Sequence, residues 1–195
     1  MKTEYFSEVT IPEGIDINLE GNLLKVKGPE GEVKRKVDLF KLDFEKKGEE
    51  IKIGSKKASK REKKMTNTLV AHIKNMIHGV QKPFEYKVKV CSSHFPMSIE
   101  SKEGEIKIKN YYGEKFPRKV KIPQGADVKV DKEIITITSP DKEMAGRVAA
   151  SFEHVIKIRT KDKRIFQDGA YIIKKPRREI EEWNLKEDPG TDFPN

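Results

Sequence analysis

Apolar and charged residues alternate along the first third of the chain. Val9 and Ile11 lead into Pro12, then Ile15, Ile17 and Leu19 fall on one face before Gly21-Asn22. Leu24 and Val26 carry the alternation to Gly28-Pro29-Glu30-Gly31, and Val33, Val37, Leu39, Leu42, Phe44, Ile51 and Ile53 extend it. A period of two, broken by Gly, Pro and Asn, predicts short antiparallel strands with one apolar face. Such a sheet needs a cover on that face. The spacing then changes. Met65, Leu69, Ile73, Met76, Ile77 and Val80 recur at helical intervals, with Ser55 or Ser59 as the candidate N-cap and Gly79 as the candidate stop. The basic run from Lys56 to Lys64 is readable as a helical turn or a loop, and Pro83 marks a new unit.

The pattern then recurs. Tyr86, Val88 and Val90 alternate, and Phe95-Pro96 resembles Ile11-Pro12. Ile106-Lys107-Ile108-Lys109 answers Leu24-Lys25-Val26-Lys27, and Arg118-Lys119-Val120 answers Arg35-Lys36-Val37. A second helical stripe aligns with the first: Met144 with Met65, Val148 with Leu69, Phe152 with Ile73, Ile156 with Ile77. A repeat of roughly 80 residues is longer than a solenoid period. The expected fold class is α+β, with two tandem duplicated domains, each a small mainly antiparallel β-sheet covered by one α-helix. The expected boundaries are 1–82, 83–178 and an acidic C-terminal tail, 179–195.

Charge singles out the second repeat. The 195 residues carry a net charge of +9, at 37% charged and 35% hydrophobic residues. Residues 1–82 hold 18 basic and 13 acidic residues, 83–178 hold 22 and 13, and 179–195 hold one and six. Both signs are interspersed, which excludes a simple disordered composition, and the basic excess points to a polyanionic partner. Residues 157–178 concentrate it, with nine Lys or Arg against Asp162 and Asp168. Phe166 and Tyr171 flank Asp168-Gly169 there, a turn signal, so the stretch reads as a basic hairpin that the first repeat lacks.

Other chemistry is thin. The single cysteine, Cys91, forms no intramolecular disulfide and points to a reducing compartment. Met1-Lys2-Thr3-Glu4 opens no signal peptide, and no apolar run approaches the roughly 20 residues of a membrane span, so a soluble cytoplasmic protein is expected. Cys91-Ser92-Ser93-His94 has the spacing of half a zinc site but no second half, so no metal is expected. Gly28-Pro29-Glu30-Gly31 lacks the Gly-Lys-Ser/Thr ending of a phosphate loop and reads as a strand-connecting turn. His72, His78 and His154 are scattered on helices, and neither a Ser-His-Asp nor a Cys-His set is visible, so no catalytic residue is assigned and no cofactor or small-molecule substrate is expected.

The repeat, the Gly28-Pro29-Glu30-Gly31-Glu32 turn, and Lys163-Arg164-Ile165-Phe166-Gln167-Asp168-Gly169-Ala170-Tyr171 after the second helix together resemble the sixth-protein family of the large ribosomal subunit. The Phe166-Gln167-Asp168-Gly169 form looks like its archaeal and eukaryotic branch, and the resemblance covers about residues 5–180. It implies a duplicated α+β fold that binds large-subunit rRNA, mostly through the second domain, near the base of the factor-recruiting stalk. It implies neighbouring ribosomal proteins as partners and no catalytic activity. Phosphate contacts are expected from Arg159, Lys161, Lys163, Arg164, Lys174, Lys175, Arg177 and Arg178. Sugar or base contacts are expected from Gln167 and Tyr171, with Asp168-Gly169 shaping the turn. A second patch joins them: Tyr111, Tyr112, Lys115, Arg118 and Lys119. Three rivals stand beside this reading: a protein-interaction scaffold using sheet edges, an RNA-binding module outside the ribosome, and an enzyme for an anionic substrate. Trp183 in the acidic tail is left without a role.

Overall fold

The computed structural model describes residues 3–37, 42–48, 50–102, 104–159, 161–162 and 164–176. The first alternating region forms six strands: β1 (Thr3–Thr10), β2 (Asp16–Glu20), β3 (Leu23–Gly28), β4 (Gly31–Lys36), β5 (Asp43–Lys47) and β6 (Glu50–Ala58). They divide between two three-stranded antiparallel sheets, ordered β1-β6-β5 and β2-β3-β4, rather than joining in one. Ile17, Leu24, Val26, Ile51 and Ile53 are fully buried, as the period-two pattern requires. Gly28-Pro29-Glu30-Gly31 is the β3–β4 turn, docked by a hydrogen bond from Glu30 N to Val80 O at 3.0 Å. Leu39 of the predicted strands lies outside the described residues.

The cover is α1 (Lys60–Gln81), whose Leu69, Ile73, Met76, Ile77 and Val80 close the first core. Ser59 is its cap. Arg61 N donates to Ser59 Oγ at 3.2 Å, and Ser59 N donates to Glu62 Oε2 at 2.8 Å, the reciprocal pair of a capping box. The basic run therefore starts as the end of β6 and continues as the first turn of α1. Gly79 does not end the helix, which runs on to Gln81 with Lys82 as C-cap. Its lack of a side chain serves another purpose. A Cβ at Gly79 would lie 1.9 Å from Pro140 O and 2.8 Å from Phe84 Cε2. The position is therefore a close approach between α1 and the second half of the chain.

The second half repeats the plan with β7 (Phe84–Cys91), β8 (Ser98–Lys102), β9 (Glu105–Lys109), β10 (Arg118–Lys121), β11 (Asp127–Asp131), β12 (Ile134–Ser139) and α2 (Lys142–Val155). Sheet order β11-β12-β7 mirrors β5-β6-β1, and β10-β9-β8 mirrors β4-β3-β2. Asp141 caps α2 by accepting from Glu143 N at 2.9 Å. Val148, Ala149, Phe152 and Ile156 fill a second core that shares no residue with the first. The fold is thus α+β with tandem duplicated units.

The units touch through polar groups as well as through Gly79. Arg35 Nη1 donates to Glu143 Oε1 at 2.5 Å, and its Nη2 reaches His72 Nε2 at 3.1 Å. Burial, then the Arg35 charge, lowers the His72 pKa, which favours the neutral imidazole that can accept that bond.

One strand has no counterpart among the described residues of the first unit. β13 (Gly169–Lys174) pairs antiparallel with the edge of β7 that β1 leaves open in the first copy. The predicted hairpin is corrected here: among the described residues of 157–178, β13 is the only strand. Its partner is the existing sheet edge, and the described residues among 157–168 form no strand. The tight turn also lies earlier than Asp168-Gly169, since Asp162 O accepts from Ile165 N at 3.2 Å and Phe166 N at 2.9 Å.

Replacing a helical Gly by Ala ordinarily stabilises by about 1 kcal/mol. Gly79→Ala is expected to do the reverse, because the new methyl meets a carbonyl that belongs to the other unit; overpacking of this kind costs about 1–3 kcal/mol. Urea denaturation of the variant checks the sign, and a stabilised protein sinks the close-approach reading.

Candidate nucleic-acid interface

The arm from α2 to β13 is tied down by one carboxylate. Asp168 is 3% exposed. Its Oδ1 accepts from Ser93 N and from His94 N, the latter at 3.1 Å. Its Oδ2 lies 2.6 Å from His94 Nδ1. A carboxylate can only accept, so Nδ1 carries the proton in that pair. Burial alone would raise the Asp168 pKa, but the hydrogen bonds from the His94 side chain and from the His94 and Ser93 amides outweigh it and hold the carboxyl at about 2. Asp168 faces the 91–94 corner and not solvent. Gly169 follows it directly into β13, so the clamp also sets where the strand starts.

Aromatic residues gather beside the clamp. Tyr111–Gly113 form a 3-10 turn with left-handed residues at its cap and in its middle, with φ of 62° at Asn110 and 48° at Tyr112. Side chains rarely adopt that region without support. Asn110 Nδ2 donates to Pro96 O at 3.0 Å, and Tyr111 OH donates to Ile156 O at 3.0 Å, which hold the turn. His94 and Phe166 rings are 4.8 Å apart, with Tyr112 6.0 Å from Phe166. The Lys161 ammonium lies over two of these rings, 4.3 Å from the Tyr112 centroid and 4.6 Å from that of Phe166. Burial, then the nearby Asp168 carboxylate, pushes the Tyr112 pKa up to about 12. The Tyr112 hydroxyl nevertheless makes no hydrogen bond of ordinary geometry, so we read the Asp168 influence as charge at short range.

Arg118 occupies the centre. Its Nε and Nη2 donate to Glu114 at 2.8 and 2.6 Å, and its Nη1 donates to Val155 O at 2.5 Å. The guanidinium lies 4.1 Å from the Tyr111 ring centroid. Hydrogen bonding to Arg118 lowers the Glu114 pKa.

Six predicted residues meet around one open cavity of about 640 Å³: Tyr111, Tyr112, Arg118, Lys119, Arg159 and Lys161. Asp168, Gly169 and Tyr171 border a neighbouring hollow, and Lys157 and Ile158 line both. Arg164 is exposed and paired with Asp162 at 2.8 Å, and Lys174 is paired with Glu85 at 3.1 Å. Tyr171 OH donates to Gln167 O at 3.0 Å. Lys115, Gln167 and Lys175 are exposed and border neither hollow. Lys163, Arg177, Arg178 and the tail with Trp183 lie outside the described residues.

Sequence reasoning missed Lys157, Glu114, His154 and His94. Lys157 stood inside the basic stretch and was legible. His94 was not, because its partner is 74 residues away. Among the described residues no group of three or more His, Cys, Asp or Glu is placed to hold a metal, and no helix is long and apolar enough to cross a membrane.

Asp168→Ala leaves the Ser93 and His94 amides without their acceptor, a loss of about 1–3 kcal/mol in a buried place. The pH dependence follows from the depressed pKa. The Asp168 contribution is full above the ordinary value of 3.8 and is lost as pH falls through about 2. The stability gap between wild type and variant, measured by denaturant titration, is therefore expected to be constant near neutrality and to close between those two values. A gap that persists in acid rules out the carboxylate as its source.

The family model for ribosomal protein L6 matches residues 11–83. The large ribosomal subunit protein uL6 of Methanothrix thermoacetophila is 38% identical over 175 residues, covering 90% of this chain and 99% of its own. The uL6 of Nanoarchaeum equitans is 40% identical, with 89% and 94% covered, and that of Haloarcula marismortui is 37% identical, with 88% and 96% covered. Likeness at this level runs through both units, and the chain belongs to the large ribosomal subunit protein uL6 family.

Proposed function

We propose that this protein is a structural, non-catalytic constituent of the large ribosomal subunit, anchored to large-subunit rRNA mainly by its second unit. Family membership supports the ribosomal assignment. The observation that carries the RNA assignment is the shared cavity: two basic-aromatic patches about 40 residues apart in sequence converge on it. Arg159 and Lys161 border it with no carboxylate partner among the described residues. Free cations beside ring faces suit a phosphate backbone with accessible bases. Residues 1–82 would serve as the frame, 83–178 as the RNA-binding unit, and the site lies near the base of the factor-recruiting stalk, with ribosomal proteins as neighbours. Phe116, 85% exposed, and Ile165, 67% exposed, are the most exposed of the large apolar side chains among the described residues and are open to such neighbours.

Arg159→Ala with Lys161→Ala tests the RNA face. Each lost phosphate contact is expected to lower the slope of log affinity against log salt by about one. Binding to large-subunit rRNA over a salt series gives that slope. A double variant with wild-type affinity and slope would show that the cavity rim is not where RNA binds, and salt-independent binding throughout would favour a protein-interaction scaffold.

A further inference from the structure

We propose that the cavity bordered by Arg118 is a subsite for one unpaired nucleotide of the bound RNA, its base stacked on the Arg118 guanidinium and its phosphate held by Lys161 and Arg159. The proposal rests on the RNA reading above and adds to it the form of RNA recognised.

Arg118 looks at first like another phosphate ligand, but its hydrogen bonds argue against that use. Three of its donors are already engaged by Glu114 and Val155 O. A fork bound in this way offers little to a phosphate without breaking a bidentate carboxylate pair. What it retains is its plane. One face is covered by the Tyr111 ring at 4.1 Å, and the side chain, still 29% accessible, borders the cavity. A guanidinium clamped in its own plane, backed by an aromatic ring, is a rigid stacking platform; Arg planes and aromatic rings are the surfaces on which unpaired bases stack.

The remaining groups fit a nucleotide. Lys161 sits on the Tyr112 and Phe166 rings at the rim, and Arg159 and Lys119 border the same space. These are cations for a phosphodiester. Glu114, fixed by Arg118, supplies a carboxylate whose remaining lone pairs can accept from a base edge. A cavity of about 640 Å³ lies within the range of about 300–1,000 Å³ of small-ligand sites. A base paired inside a duplex must break its pair and leave its stack to enter it, a cost that a bulged base is largely spared. The left-handed Asn110 and Tyr112 point the same way. Backbone in that region costs about 1–3 kcal/mol per residue and persists where surrounding contacts hold it, often at ligand sites.

The full chain is titrated with three RNA hairpins of one sequence: fully paired, carrying one unpaired purine, and carrying an abasic residue in place of that purine. The unpaired purine is expected to improve affinity about tenfold over both others, the scale of one stacked base. A 2-aminopurine at the bulge is expected to be quenched on binding. Arg118→Lys, which keeps the charge and loses the plane, is expected to erase the difference while leaving the salt slope unchanged; a thermal melt verifies that it folds. The abasic comparison needs no protein variant. Equal, salt-sensitive binding of all three hairpins overturns the subsite and leaves the RNA reading intact, and no binding to any of them overturns both.

Discussion

A buried carboxylate joins the last described strand to the rest of the second unit. Asp168 accepts two backbone amides and one imidazole proton from residues 93 and 94, so it closes a loop of more than 70 residues at a single point. Burying a charge is costly unless it is well hydrogen-bonded, and three donors supply those bonds here. The geometry downstream follows. With Asp168 fixed, Gly169 falls opposite Cys91, and Ala170, Tyr171 and Ile172 follow in register along β7 before the pairing shifts at Ile173. With the same residue fixed, Phe166 comes against His94, and Lys161 comes to lie over Phe166 and Tyr112. The anchor itself is hidden, yet it positions the cations and rings that reach solvent.

The duplication explains why an added strand has a place to bind. Among the described residues β1 of the first unit leaves one edge unpaired, and in the second β13 occupies the equivalent edge of β7. An open edge is a row of unmet donors and acceptors, a standing invitation to another strand. The second copy answers it with its own chain, whose arm is strongly basic. A common frame with one edge closed by a charged segment makes one of two like units chemically distinct from the other.

Much of the frame was legible because it rests on local periodicity. Alternation at Leu24–Val26 and Ile51–Ile53, and helical spacing from Leu69 to Val80, specify inward faces without knowledge of partners. The Ser59 cap was one of two legible candidates for the same reason. Features set by distant contacts were not legible. Gly79 resembled a helix stop, and only Pro140, 61 positions away, shows that it marks a close approach. Asp168-Gly169 resembled a turn, yet its carboxylate is claimed by residues 93 and 94. The predicted hairpin failed on the same ground: composition indicates that a segment is basic and extended, but not which edge it will pair with. Tyr111–Lys119 and the basic stretch after the second helix stand out in the sequence as two separate patches, and the fold is what brings members of both around one cavity.

Not all cations in the basic unit are equivalent, and net charge conceals the difference. Arg164, Lys174 and Arg118 each hold a carboxylate close by, which lowers what they offer an incoming phosphate. Lys161 rests on ring faces instead. A cation on an aromatic face is partly ordered without being neutralised, so it loses less freedom on binding than a free lysine and keeps its full charge. Arg118 shows the complementary solution: its charge is answered within the protein, and its plane is fixed. The two residues meet at one cavity with opposite chemistry, a mobile-chain cation that is held and a planar one that is locked. Such a pairing suits a ligand with a phosphate at one end and a flat ring at the other, and that requirement, more than the +9 of the whole chain, is what distinguishes this face from an ordinary basic surface.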